Sequence, residues 1–443
     1  METLYHKKGI ISRVKKYFSP YIELLTKPSG DKLFLLLLAV LSMQAVTSIQ
    51  HIYTWFLRGL SKVSKTAYYY MMTYTALPID KFCKVTIEKA IAVIDEKHRE
   101  LPVLLLLDDT MQAKYGTHFE EYGKMFDHAK HDGSLYLNGH CFVALAVCVP
   151  VIVGNTMKYL TVPIRFRLKG KEESKLKIAS EMIREAMETL ADIPTVILLC
   201  DSWYPKGAVL ETVSAYSNLE LVANVRTDTV IYDLPHRTGK RGRPAKKGGK
   251  LSIYSDLSFT EMGKYFIAAR SVITNLFKTP VYMTVTATNL DNHKGYRLFL
   301  STISYEKLYA SFSQRKSPDN DSARSAWLIP LRLYSLRWNI EVLFYELKTF
   351  WSFGNYMLRS KQGIDNFVNL LSVSYACAKL IPFADDFFAD FSLASTQTTK
   401  FALGDAIRKD LFFAHFVDFI ENRHISFENL HDFDFSDFFA HSA

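Results

Sequence analysis

The chain has 443 residues, 49% hydrophobic and 22% charged, with 54 Lys and Arg against 45 Asp and Glu. That mix excludes wholesale disorder, and 19 Gly and 14 Pro exclude a collagen-like or low-complexity chain. At roughly 100–200 residues per domain, the length corresponds to about two or three domains. The cysteines (Cys83, Cys141, Cys148, Cys200, Cys377) form no C-x-x-C pair. A disulfide scaffold and a zinc ribbon are therefore unsupported, and a reducing, cytoplasmic setting is expected. Charge is uneven: residues 381–443 hold eleven acids and four bases, which leaves +16 on residues 1–380. A basic body of that size implies an anionic partner, with nucleic acid the commonest.

Residues 1–100 read as all-helical. The most apolar stretch, LFLLLLAVLSMQAV at 33–46, is fourteen residues long, short of the about 20 needed to span a bilayer. It is expected to be a buried core helix, with no membrane partner. Segments 53–60 and 66–74 have the lengths of paired short helices, either a helix-turn-helix or a helical cap on the next domain.

The texture changes at Leu101. PVLLLLDDT is a continuous apolar run ending in two acids, as buried strands look. HCFVALAVCVPVIV and YLTVPIRFRL are two more strand candidates, with Gly154 and Asn155 as a hairpin turn between them. KEESKLKIASEMIREAMETL has helical periodicity, with Glu172 and Glu173 expected in its first turn. TVILLCDSW is again a strand ending in an acid. A short helix over residues 206–217 and the strand LELVANVR complete an α/β series, predicted to form a mixed sheet. HRTGKRGRPAKKGGK then carries seven Lys or Arg in fifteen residues and no acid, so it reads as a loop. VYMTVTATNL and YRLFLSTIS look like an inserted β region. The pattern is helical again over 323–380. The tail, aromatic and acidic, is a terminal helix, a partner-binding segment or a partly disordered one.

Two strand ends carry acids, Asp108 (with Asp109 beside it) and Asp201, and ligand sites in α/β sheets form at strand ends. YSLRWNIEVLFYELK offers a third. On one helix, Tyr334, Arg337, Glu341 and Lys348 point at about 0°, −60°, −20° and −40°, a single polar stripe. A carboxylate flanked by two cations and a phenol suits a site for metal and phosphate. An exposed face with an Arg337–Glu341 ion pair explains the stripe equally well.

Taken together, Asp, Asp and Tyr-x2-Arg-x3-Glu-x6-Lys resemble the DDE transposases of bacterial cut-and-paste insertion sequences (insertion sequence family four and its relatives). DDT at 108–110, CDSWYPKG at 200–207 and VANVRTD at 222–228 support the likeness. The resemblance implies an α/β fold with a ribonuclease-H-like core, interrupted by an inserted β-rich domain and preceded by a helical domain. The implied organisation is an N-terminal helical DNA-binding domain (1–100) and a first core part (101–226). An inserted β-rich domain with the basic loop (227–322), a second core part with the Glu helix (323–380) and an acidic aromatic tail (381–443) follow. Asp108, Asp201 and Glu341 would be catalytic and hold two Mg²⁺, or Mn²⁺ as substitute, with Asp109 the alternative to Asp108. Tyr334, Arg337 and Lys348 would bind DNA. The implied reaction is hydrolysis at the element ends and strand transfer into target DNA, by a homodimer on paired double-stranded ends in the bacterial nucleoid. A noncatalytic DNA-binding regulator and a nuclease that cuts without joining are the alternatives.

Three smaller features complete the reading. RGRP at 241–244 has the core of an AT-hook, so Arg241 and Arg243 either read a minor groove or contact phosphates. Arg226 is a further candidate DNA contact, and Lys114 and Gly116 are weaker candidates for touching phosphate. His128, His131 and His140 match no four-ligand zinc spacing and are assigned structural roles, and Trp338 and Trp351 are expected to pack in the core.

Overall fold

The computed structural model describes residues 9–116, 118–126, 133–236, 245–312 and 326–422. Five helices come first: α1 (Ile10–Ile22), α2 (Lys27–Ser42), α3 (Ile49–Ile52), α4 (Lys65–Tyr74) and α5 (Ile79–Ala92). Pro28 in the first turn of α2 gives up no helical hydrogen bond, and the Leu33–Leu41 stretch behind it is buried on nearly every side. The sequence expectation of a core helix therefore holds. These helices share one continuous apolar cluster with the sheet that follows.

Twelve strands form one sheet in the order β2-β3-β1-β5-β6-β12-β11-β10-β7-β8, with β4 paired to β3 and β9 to β10. The first half comprises β1 (Val103–Ala113), β2 (Gly123–Phe126), β3 (Tyr136–Val153), β4 (Thr156–Leu168), β5 (Val196–Cys200) and β6 (Leu219–Val225). β1 runs antiparallel to β3, and β3 to β4, whereas β5 and β6 run parallel to β1. The hairpin lies where the sequence put it: Val153 pairs with Thr156 across Gly154, whose φ of +61° suits glycine.

Helix α6 (Lys175–Thr189) begins later than its periodicity suggested. Glu172 and Glu173 precede it, because Glu173 accepts from the Gly170 N–H (2.8 Å) and from Lys361 Nζ (2.7 Å) and so fastens the connecting loop. α7 (Ala208–Ala215) follows Gly207, which has a φ of +52°.

The second half comprises β7 (Ile231–Tyr232), β8 (Lys250–Leu251), β9 (Thr260–Met262), β10 (Tyr265–Thr274), β11 (Val281–Ala287) and β12 (Arg297–Ser301). It has its own apolar cluster around Val272, Met283 and Leu298. Yet β12 pairs antiparallel with β6, so this β region extends the first sheet. β10 went unread in the sequence because Arg270 sits in its middle; that side chain is neutralised by Asp233.

After α8 (Tyr305–Phe312) come α9 (Ile329–Leu336), α10 (Trp338–Phe350), α11 (Lys361–Ala384) and α12 (Thr396–Asn422). Among the described residues α11 alone has the length and apolar composition to cross a bilayer, and 83% of its most apolar window is buried within the fold. Two of its polar residues, Asp365 and Asn369, face the outer strand β4. Asn369 accepts from the Phe166 N–H (3.0 Å) and donates to the Phe166 carbonyl (2.9 Å), and Asp365 accepts from the Leu168 N–H (2.8 Å). Side chains thus stand in for the missing neighbouring strand. The tail as far as Asn422 is helical: α12 packs on α1 and α2. Arg13 binds Asp385 through two contacts of 2.8 and 3.0 Å.

Asn369→Ala leaves a buried N–H and a buried carbonyl of β4 without partners. Chemical denaturation is expected to show a loss of about 2–4 kcal/mol.

Candidate active site

Parallel pairing of β1 with β5 sets Leu107 opposite Cys200, so Asp108, in the middle of β1, and Asp201, just past the end of β5, follow side by side; β1 runs on to Ala113 because β3 still pairs with it there, beyond the strand end expected at the acids. α10 packs on β1 and brings Glu341 and Arg337 to the same corner. Arg337 Nη1 lies 2.6 Å from Asp108 Oδ2 and 3.5 Å from Glu341 Oε1. The Arg337 and Asp108 side chains are each 12% exposed. Burial first, then Asp201 and Glu341, push the Asp108 carboxyl up to about 8 against the pull of Arg337. Asp201 is raised as well, chiefly by burial, against the Trp203 N–H that its Oδ1 accepts at 3.0 Å. Like charges crowd into a poorly solvated corner with one guanidinium among them.

Asp109 points to the opposite face, as strand alternation requires. Lys175 Nζ contacts both its oxygens (2.9 and 3.0 Å), the Tyr204 hydroxyl donates to it at 2.8 Å, and Cys141 Sγ lies 3.5 Å away.

The polar stripe is not carried by one continuous helix. The hydrogen-bond ladder breaks at Arg337, where the Arg337 N–H bonds to the Tyr334 carbonyl and the Ile340 N–H to the Arg337 carbonyl, both at 3.0 Å. Tyr334 closes α9, half-buried against Phe299 with ring centroids 5.2 Å apart, and the Arg337 guanidinium lies 5.6 Å from its ring. Lys348 donates to the Met111 carbonyl at 2.8 Å, which ties α10 to β1.

Other candidates lie elsewhere. Arg226 is exposed and pairs with Asp228 at 2.7 Å. Arg241, Arg243, His128 and His131 fall outside the described residues. His140 is buried between the Tyr356 hydroxyl (2.6 Å) and the Glu120 carbonyl (2.9 Å), and burial lowers its proton affinity. Lys114 is not placed to touch phosphate: it is buried and donates to the Gly354 and Tyr356 carbonyls, each at 2.7 Å. Trp351 packs in the core as expected, but Trp338 is 63% exposed.

Two clefts flank the acids. One, of about 740 Å³, has Asp108, Asp109 and Asp201 on its floor and Lys124, Lys169, Lys171 and Lys175 on its walls. The other, of about 840 Å³, is lined by Asn224, Arg297, Arg332, Tyr334, Arg337 and Trp338. The lysine wall went unread in the sequence, although four Lys between 169 and 177 were there as a signal.

Three carboxylates without sulfur or imidazole donors are the ligand set of a hard divalent cation. The raised proton affinities of Asp108 and Asp201, caused first by burial, make a further positive charge favourable in this corner. Among the described residues no group of His, Cys, Asp or Glu is assembled to hold an ion, and Arg337 occupies the space between Asp108 and Glu341. The donor chemistry fits a metal ion; the present arrangement has the guanidinium in its stead.

An acid pair on adjacent parallel strands, walled by cations, suits a polyanionic substrate. A family model described as DDE superfamily endonuclease matches residues 26–263, more than half of the chain. The chain belongs to that family, an α/β group of transposase-type nucleases that act on DNA and generally use divalent metals. The matched span contains Asp108, Asp109 and Asp201 and ends before Glu341. Among curated proteins, no match was found.

With metal removed by EDTA, Asp201→Asn is expected to raise the thermal midpoint. The folded carboxyl holds its proton more tightly than the ordinary value of 3.8, so ionising it destabilises the fold as pH rises through the raised value. The gain over wild type is small at pH 5 and grows to about 1–2 °C at pH 8.

Proposed function

We propose that the protein is a cut-and-paste transposase of the Tyr-Arg-Glu-Lys type, with Asp108, Asp201 and Glu341 as its reacting acids. The order β4-β3-β1-β5-β6, three antiparallel strands followed by two parallel ones, supports a ribonuclease-H-like core. On this reading residues 227–322 are its insertion and residues 1–100 a helical DNA-binding region. The observation that carries the proposal is the meeting of three acids from separate stretches of chain around Arg337, two of them, Asp108 and Asp201, where burial disfavours their charge. A structural role would not favour such a grouping, because burying like charges lowers stability.

Two divalent ions, Mg²⁺ or Mn²⁺, held by the three carboxylates would activate the attacking oxygen and stabilise the leaving one. The chain's own residues orient the substrate. Arg337 Nε is buried and lacks a partner, which leaves a donor for a phosphate oxygen. Tyr334 is buried enough to raise its phenol's proton affinity, so it meets the backbone as a neutral donor. Lys124, Lys169 and Lys171 give the strand a cationic wall, and Lys348 keeps the Glu341 helix seated on β1. The products would be cut element ends and their joints to target DNA, made by two copies of the chain on paired ends.

Incubation with labelled DNA from the gene's own flanks, a supercoiled target and Mg²⁺ or EDTA tests this. Wild type is expected to give metal-dependent cuts and joined products. Glu341→Gln is expected to lose at least about a thousandfold in rate with binding intact. Cutting without joining would make the protein a plain nuclease, and normal cutting by Glu341→Gln would remove the assigned triad. Lys171→Ala is expected to weaken binding alike on all sequences and to reduce the slope of log K against log salt by about 1.

A further inference from the structure

We propose that Asp109, the second acid of the pair on β1, is a positioning residue that sets Asp201 rather than a metal ligand. This inference rests on Asp108, Asp201 and Glu341 being the reacting acids. Both oxygens of the Asp109 carboxylate are already engaged. Lys175 Nζ bonds both oxygens, the Tyr204 hydroxyl reaches Oδ1, and Cys141 Sγ approaches Oδ2. Lys175 thereby supplies Asp109 with a counter-charge of its own, and that ammonium is itself held 4.3 Å from the Trp203 ring.

What this carboxylate grips is the turn that begins at Asp201. The Trp203 N–H bonds to Asp201 Oδ1 at 3.0 Å, and the Tyr204 N–H reaches the Asp201 carbonyl at 3.3 Å. The Tyr204 side chain, fully buried, runs from that turn to Asp109. The β1–β5 ladder fixes the backbone only as far as Cys200. Beyond it, the Tyr204–Asp109 bond is the tie from the turn to the strand that carries Asp108. One residue of β1 therefore supplies an acid to the corner, and the next, on the other face, holds the neighbouring acid in place.

The test uses the full chain, with Mn²⁺ binding by calorimetry in the absence of DNA and cleavage rate at saturating DNA as separate readouts. Tyr204→Phe is expected to bind DNA and the same number of Mn²⁺ ions as wild type, with Mn²⁺ affinity and cleavage rate each lower by about tenfold. Asp109→Asn, which keeps an acceptor for the phenol, should fall no further than Tyr204→Phe, whereas Asp108→Asn abolishes cleavage. If Tyr204→Phe misfolds, Lys175→Gln, at the outer end of the same contact, is expected to shift both readouts in the same direction. The inference is overturned if Tyr204→Phe and Lys175→Gln leave Mn²⁺ affinity and rate at wild-type values. It is equally overturned if Asp109→Asn loses Mn²⁺ as completely as Asp108→Asn. Normal cutting by Asp108→Asn would instead strike down the triad itself.

Discussion

The acid corner depends on a guanidinium placed among carboxylates. Asp108, Asp201 and Glu341 reach it from the middle of a strand, a turn and a helix, and burial makes the ionised forms of Asp108 and Asp201 expensive. Arg337 supplies the positive charge that lets Asp108 and Glu341 approach. It does so from the break between α9 and α10, where the helical ladder lapses. The same break aims Tyr334 and Arg337 toward the arginine-lined cleft while α10 itself faces β1.

The rest of the fold keeps that corner rigid. α11 supplies side-chain hydrogen bonds to β4, so an outer strand of the antiparallel trio is finished by a helix. Lys348 and Lys114 donate to backbone carbonyls at the end of β1 and in the loop after α10. Lys114 is the buried one of the two, and carbonyl oxygens hold its ammonium. Lys114 accordingly has its proton affinity lowered to about 8 by burial. Activity and stability make opposite demands here: the acids weaken the fold around them, and the surrounding hydrogen bonds compensate.

The strands that carry Asp108 and Asp201 were legible because continuous apolar runs such as LLLL and VILLC can only be buried; the acid marks the end of β5, whereas β1 runs on past Asp108 to Ala113. The Gly154–Asn155 turn and the core helix of residues 33–41 were legible for equally local reasons. What the sequence did not disclose was long-range. Which face each member of the Asp108–Asp109 pair takes depends on where β1 sits in the sheet. That Glu173 serves a loop rather than a helix depends on Lys361, almost two hundred residues away. The break at Arg337 leaves no mark in a heptad-like pattern, since residues on both sides keep helical dihedrals. The lysine wall was readable as composition, but only the fold shows that it faces the acids.

The seating of α12 on α1 and α2 has a consequence for how the chain matures. Gly404 lies so close to α2 that a β-carbon there would come within 2.8 Å of the Leu41 carbonyl, and Arg408 donates to the Ser42 carbonyl. The apolar flank of the first helices is therefore covered by a helix whose Arg408 follows Ser42 by 366 residues. The third acid likewise emerges 140 residues after the second. A nascent chain that stops short of Glu341 holds a nearly complete sheet while its acid corner lacks that residue and its amino-terminal helices lack their cover. Those helices stay uncovered until α12 has been made, and the partly made chain is a client for chaperones until then.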